Sequence, residues 1–163
     1  MEAVEGRGAQ GADLGRLYMV DVSGKRPLKR TVVAEGEVRL RPETVRAIVE
    51  GRVPKGDVAT AAKAAAVLAA KSTHLTIPLA HPIPVHHVDV KITPLDDRVK
   101  VRVSVTSVAP TGPELEALNA VMASLLTIWD MVKQLEKDER GLYPDSVITG
   151  IRVVEKRKEE PEW

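Results

Sequence analysis

Lys55, Gly56 and Asp57 stand directly before an alanine-rich run, where a helix would begin. Helix N-termini present free N–H groups and a positive partial charge. Gly56 would let an anion approach the backbone, and Lys55 adds a full charge. The simpler reading is a loop with an ordinary N-cap and a solvated lysine. Asp130, Lys133 and Lys137 follow at spacings of three and four. On a helix they share one face, either as a row of surface ion pairs or as one wall of a cleft. Glu116 precedes Asp130 by fourteen residues, which sets it within about 40° of the same strip. Glu114 and Glu116 are two apart and point roughly 200° from each other on that helix, with Leu115 anchoring the core side between them. Acids in a first turn, beside Pro113, also suit a helix start that has no further role. His81 sits in a proline-rigid connection. It is a candidate acid or base, and equally a structural hydrogen-bonding group. Lys71 closes the alanine-rich run, where a cation is favourable in any helix.

Other chemistries are excluded or unsupported. The chain has no GxGxxG, no complete P-loop, no HExxH and no GxSxG. It has no cysteine, which removes thiol catalysis and Cys-zinc sites and points to the cytoplasm. His86 and His87 would face opposite sides of a strand, and His74 and His81 lack a familiar ligand spacing, so no metal site is expected. Lys and Arg number 24 against 23 Asp and Glu, a balance unlike that of a dedicated nucleic-acid binder. The aromatic residues are Tyr18, Trp129, Tyr143 and Trp163 alone, too few for a base-stacking platform. No apolar run reaches about 18 residues, so no membrane span is expected. Gly6, Gly8, Gly11 and Gly15 interrupt any signal-peptide core.

The elements that must position the candidates read as follows. At 163 residues the chain is expected to form one domain over 19–156, with a flexible extension over 1–18 and a charged tail over 157–163. Arg30–Leu40 reads as a strand with a bulge at Gly36, and Pro42 to about Glu50 as a short helix ended by Gly51. Val58 to about Ser72 reads as a helix capped by Asp57. Val88–Ile92 and Val99–Val105 alternate apolar with polar residues and form a hairpin around Pro94–Asp97. Pro113–Lys137 reads as a helix whose buried stripe is Leu115, Leu118, Met122, Leu125, Trp129 and Val132. Val147–Val154 reads as the last strand, with Glu155–Trp163 frayed. Setting the short helix aside, the order is strand, helix, strand, strand, helix, strand. That is an α+β, ferredoxin-like split βαβ pattern, a four-stranded antiparallel sheet with helices on one face.

Six segments carry a resemblance, in order and over roughly residues 19–154. They are Met19-Val20-Asp21-Val22-Ser23; Gly51-Arg52 with Lys55-Gly56-Asp57-Val58; and Ala69-Ala70-Lys71-Ser72-Thr73. Ile77-Pro78-Leu79-Ala80-His81-Pro82 and Thr111-Gly112-Pro113-Glu114-Leu115-Glu116-Ala117-Leu118 follow. The last is Leu126-Thr127-Ile128-Trp129-Asp130-Met131-Val132-Lys133. With these the chain resembles the molybdenum cofactor biosynthesis protein C family, the cyclic pyranopterin monophosphate synthases.

The resemblance implies a hexamer built as a trimer of dimers, with active sites at subunit contacts. It implies conversion of 3′,8-cyclo-7,8-dihydro-GTP, supplied by a radical GTP-cyclising enzyme, into cyclic pyranopterin monophosphate with loss of pyrophosphate. By the same match Lys55 and Lys133 are the catalytic lysines, Asp130 pairs with them, and His81, Glu114 and Glu116 complete the pocket. Lys71 is a phosphate-binding candidate. No cofactor is implied beyond Mg²⁺ carried by the triphosphate. Ala80 stands where the family often has Cys. Lys156 or Lys158 would have to replace the family's Lys- and Gly-rich tail. The competing reading is a non-enzymatic ferredoxin-like module that binds a ligand or RNA. Sheet segments without aromatics disfavour the RNA version.

Overall fold

A computed structural model describes Gly15 and residues 17–161. Most of the expected N-terminal extension, and residues 162–163 of the tail with Trp163, lie outside the described residues. The elements are β1 (Leu28–Arg39), α1 (Pro42–Val49), α2 (Val58–Thr76), β2 (His87–Pro94), β3 (Arg98–Ala109), α3 (Glu114–Glu136) and β4 (Val147–Glu159). The sheet is antiparallel throughout, in the order β2-β3-β1-β4. This is the expected α+β, split-βαβ arrangement. The alternation in β3 explains its central place: Val99, Val101, Val103 and Val105 are fully buried towards the helices, while Arg98, Lys100 and Arg102 occupy the other face.

α2 and α3 cover the buried face of the sheet. α2 meets α3 through Ala62, Ala66, Ala69 and Ala70, all buried. Small side chains let the two backbones lie close together. α2 runs one turn further than the alanine pattern suggests and ends at Thr76; the C-cap Ile77 is the residue that Pro78 forces out of helical geometry. Asp57 does cap the helix, its Oδ1 accepting from the Thr60 backbone N–H at 2.9 Å.

Three expectations are corrected. In α3 the buried stripe is Ala117, Ala120, Val121, Ser124, Leu125, Ile128 and Val132. Leu118 and Trp129 flank it, whereas Leu115 and Met122 are 42% and 46% exposed. α3 lies close to the sheet with Val121 and Leu125 against Gly36, while Leu115 and Met122 turn outwards. The second correction explains that approach. Gly36 is not itself the bulge. A Cβ there would lie 2.9–3.0 Å from Ile151, Leu125 and Val121, so glycine admits α3 onto the sheet. The bulges lie on β4, where register shifts fall opposite Val33/Ala34 and Glu35/Glu37. Third, β4 does not fray at Glu155 but pairs with β1 as far as Glu159. It is an edge strand, where charged residues serve well, and Lys29–Glu159 and Arg102–Glu155 ion pairs brace it.

α3 is long and apolar enough, by length and composition, to cross a membrane. Here it is the core helix, with Val121, Leu125 and Ile128 fully buried against the sheet.

Candidate active site

The candidate residues fall into two groups at opposite ends of the helix layer. The first forms where the α1–α2 connection meets the last turns of α3. Gly56 has φ +110°, a conformation that side chains resist, and it turns the chain sharply between Lys55 and the α2 N-cap. Lys55 is thereby aimed across at α3. Its Nζ donates to Asp130 Oδ2 at 2.8 Å and to the Asp130 backbone carbonyl at 2.9 Å. Lys133, one turn along α3, places its Nζ 2.8 Å from Asp130 Oδ1. One carboxylate thus joins two ammonium groups from segments 75 residues apart. Hydrogen bonds from Lys133 and then Lys55 hold the Asp130 carboxyl down to about 2. Asp130 in turn holds the Lys133 ammonium above the ordinary lysine value. The cluster carries one surplus positive charge and is open to solvent, a fitting arrangement for an anionic reactant.

The second group lies at the N-terminal end of α3. His81, Glu114 and Glu116 line one cavity of about 120 Å³ with Ala80, Thr111 and Gly112. The two glutamates, expected on different sides of the helix, reach the same cavity, and Glu116 rather than Leu115 takes the buried position. Their environments pull them apart. Burial raises the Glu116 carboxyl above its ordinary value, and the neighbouring Glu114 charge adds to this. Burial would raise Glu114 too, but a hydrogen bond from Lys156 and its own backbone N–H outweigh it, and Glu114 is lowered. The Glu114–Lys156 ion pair closes at 2.5 Å. The His81 ring donates through Nε2 to the Val20 carbonyl at 2.7 Å, which fixes its tautomer and ties the Met19–Ser23 segment to the cavity.

A second cavity, about 170 Å³, adjoins the first through Gly112 and Glu114 and is walled by Arg30, Lys156 and Lys158. The resemblance names Lys156 and Lys158 only as substitutes for the family's tail, and Arg30 not at all. Arg30 is opposite Lys158, and Val32 opposite Lys156, in the β1–β4 register. Residues 155–158 are all charged, so no local alternation marks them, and only the long-range pairing with β1 brings these two lysines to the cavity. The Arg30 Nε is buried without a protein partner, so this cavity has a donor to spare.

One expected placement does not hold. Glu116 and Asp130 share a helical strip, but fourteen residues separate them by about 21 Å along the axis; one is buried and the other exposed. Lys71 joins neither group. It lies on the exposed side of α2, about 200° from both Ala69 and Thr73, which face Asn119 of α3. His86 has a structural role, its Nδ1 accepting from the Val108 backbone N–H at 3.3 Å. A larger cavity of about 900 Å³, between α1 and the β2–β3 turn, is mostly apolar and contains none of the candidates.

Comparison with known proteins bears on these groups. A model described as the MoaC family matches residues 19–159. A probable cyclic pyranopterin monophosphate synthase of Aeropyrum pernix is 57% identical over 140 residues, covering 86% of this chain and 96% of its own. One of Pyrococcus furiosus is 49% identical over 142 residues, covering 87% and 91%. A protein of Methanothermobacter thermautotrophicus, named a probable cyclic pyranopterin monophosphate synthase accessory protein, is 47% identical over 142 residues, covering 87% and 89%.

Proposed function

Because this chain belongs to the MoaC family, we propose that it is the lyase that converts 3′,8-cyclo-7,8-dihydro-GTP to cyclic pyranopterin monophosphate and pyrophosphate. The observation that carries this reading is the meeting of Lys55, Asp130 and Lys133 within 2.8 Å contacts. That reaction opens and rebuilds the five-membered ring of the guanine and closes a cyclic phosphate. It needs cations to neutralise a departing pyrophosphate and several groups that exchange protons around one heterocycle.

The two groups divide those tasks. Lys55 and Lys133 supply charge and protons, and Asp130 pairs with both ammonium groups. Glu114 and Glu116, pushed in opposite directions, make an acid–base pair: the raised Glu116 holds a proton more readily, and the lowered Glu114 stays charged against Lys156. His81 faces the same cavity and presents the heterocycle with a second proton-bearing group. Arg30, Lys156 and Lys158 form the anion-binding wall, with Mg²⁺ accompanying the triphosphate. Lys156 would then do the work of the family's tail. Lys71, exposed on α2, remains a phosphate-binding candidate for a site completed by a neighbouring copy.

A substrate of this size cannot bridge about 21 Å within one chain. We therefore set the complete site between copies, with the lysine group of one facing the His–Glu group of another in a hexamer built as a trimer of dimers. The exposed Leu68, Leu75, Leu115, Met122 and Leu126 of the helix layer are the sort of surface that such contacts cover. A radical GTP-cyclising enzyme would supply the substrate, and the cytoplasm, where a chain without cysteine is at home, would be its compartment.

Incubation with the cyclised dihydro-GTP tests the activity. Wild-type protein should release pyrophosphate and form the pterin. Folded Lys55→Ala and Lys133→Ala should each lose at least ~100-fold in turnover. Near-normal turnover in either variant removes that lysine from the mechanism, and an inactive, folded wild type removes the function.

A further inference from the structure

The Lys55–Asp130–Lys133 cluster cannot hold its own geometry. Its side chains are 38%, 56% and 42% exposed, and ion pairs so open to water are weak and screened by salt. Asp130 and Lys133 also stand in the last turns of α3, where helices fray unless their final carbonyls find partners. A buried device must set the spacing, and the structure has one.

Glu136, the last residue of α3, is 1% exposed. A carboxylate is seldom buried this deeply unless it is fully engaged. One of its oxygens accepts from the Arg41 backbone N–H at 3.0 Å, and the other from the Ser146 hydroxyl at 2.7 Å. Arg41 replies: its guanidinium donates to the Glu136 backbone carbonyl at 3.0 Å and to Asp145 at 3.0 Å. The result is a closed clasp between the start of α1, the end of α3 and the loop over 138–146. From the clasp α1 leads to Lys55 through tight backbone bonds, Arg52 N–H to Ala47 at 2.8 Å and Gly56 N–H to Val53 at 3.0 Å. The loop returns Tyr143 onto Trp129, ring centroids 5.5 Å apart, beside Asp130 and near enough to Lys133 to help raise it.

We propose that Glu136 is a positioning residue for the reaction: through Arg41 and Ser146 it sets the chain carrying Lys55 and the helix turn carrying Asp130 and Lys133 at the separation where the three meet. The proposal rests on the reading of those three as the reacting cluster. Each carboxylate oxygen holds a different segment, which no apolar core residue could do.

The test compares Glu136→Ala with Glu136→Gln. Glutamine keeps an oxygen for the Arg41 N–H and can donate its amide to the Ser146 hydroxyl, so both links survive. One readout is kcat and KM with the cyclised dihydro-GTP. The other is titration of the Asp130 carboxyl by carbon NMR, which needs no turnover. In Glu136→Ala kcat should fall at least ~10-fold with KM within ~3-fold, as for a misplaced group rather than a lost contact. The Asp130 midpoint, held down by Lys133 and Lys55, should rise from about 2 towards the ordinary carboxylate value. Glu136→Gln should restore both. Should Glu136→Ala not fold, Ser146→Ala, which removes one link, should shift both readouts in the same direction. A folded alanine variant with an unmoved Asp130 midpoint overturns the proposal, whatever its kcat. So does a Glu136→Gln protein as impaired as Glu136→Ala. If the wild type itself shows no turnover, the functional reading falls and the Asp130 titration alone decides the positioning.

Discussion

Asp130 accepts from two ammonium groups, and this sets how the cluster responds to pH. Its carboxyl is lowered to about 2, so whatever stability the pairs contribute is present above the ordinary aspartate value and lost as pH falls through about 2. Across the neutral range Asp130 stays charged, and Lys133 stays protonated above its usual limit. Asp130→Asn removes the charge that raises Lys133, so the alkaline limb of kcat should move to lower pH. An unmoved limb would mean that Lys133 is not the titrating group. Glu116 behaves in the opposite sense. Burial raises it, so its charged form costs stability above the folded pKa, a cost relieved as pH falls through that value. Glu116→Gln should therefore raise Tm slightly at neutral pH, while lowering kcat by ~100-fold or more if the carboxyl transfers a proton. A fall in Tm with unchanged kcat would make Glu116 a structural group.

At the scale of elements, close approach of α3 to the sheet determines much of the layout. Gly36→Ala places a methyl 2.9–3.0 Å from three core side chains, and overpacking of that kind costs about 1–3 kcal/mol. Thermal unfolding should show the loss, and an unchanged Tm would mean that the α3 contact is loose. Why some of the fold was legible in the sequence follows from the same packing. Strict alternation in β3 and the N-cap Asp57 before an alanine run are strong local signals, and the structure keeps them. The buried face of α3 is legible in part: Leu125 and Val132 lie on it as expected, but a stripe drawn through large apolar residues overlooks Ala117, Ala120 and Ser124. The end of β4 reads as tail because Glu155–Glu159 is all charge. Its pairing with β1 is long-range, so the local pattern carries no trace of it. The resemblance names Lys156 and Lys158, but their place beside Glu114 depends on that pairing. Glu136 shows the same limit: read locally, it is one more acid near a helix end. Only the return of Arg41 and Ser146 from elsewhere gives it partners.

At the scale of the molecule, the two candidate groups stand at opposite ends of one helix, and the helix layer leaves large apolar residues exposed. Both observations support a site completed by a second copy. The most direct measurement co-expresses and co-purifies Lys133→Ala with Glu116→Gln, two variants damaged in different groups, and assays the mixture with the cyclised dihydro-GTP. If each site takes its lysines from one chain and its glutamates from another, mixed pairs contain one intact site. Random pairing should then recover about a quarter of wild-type turnover. A mixture no more active than the better variant alone would contradict the shared site and return all the chemistry to a single chain.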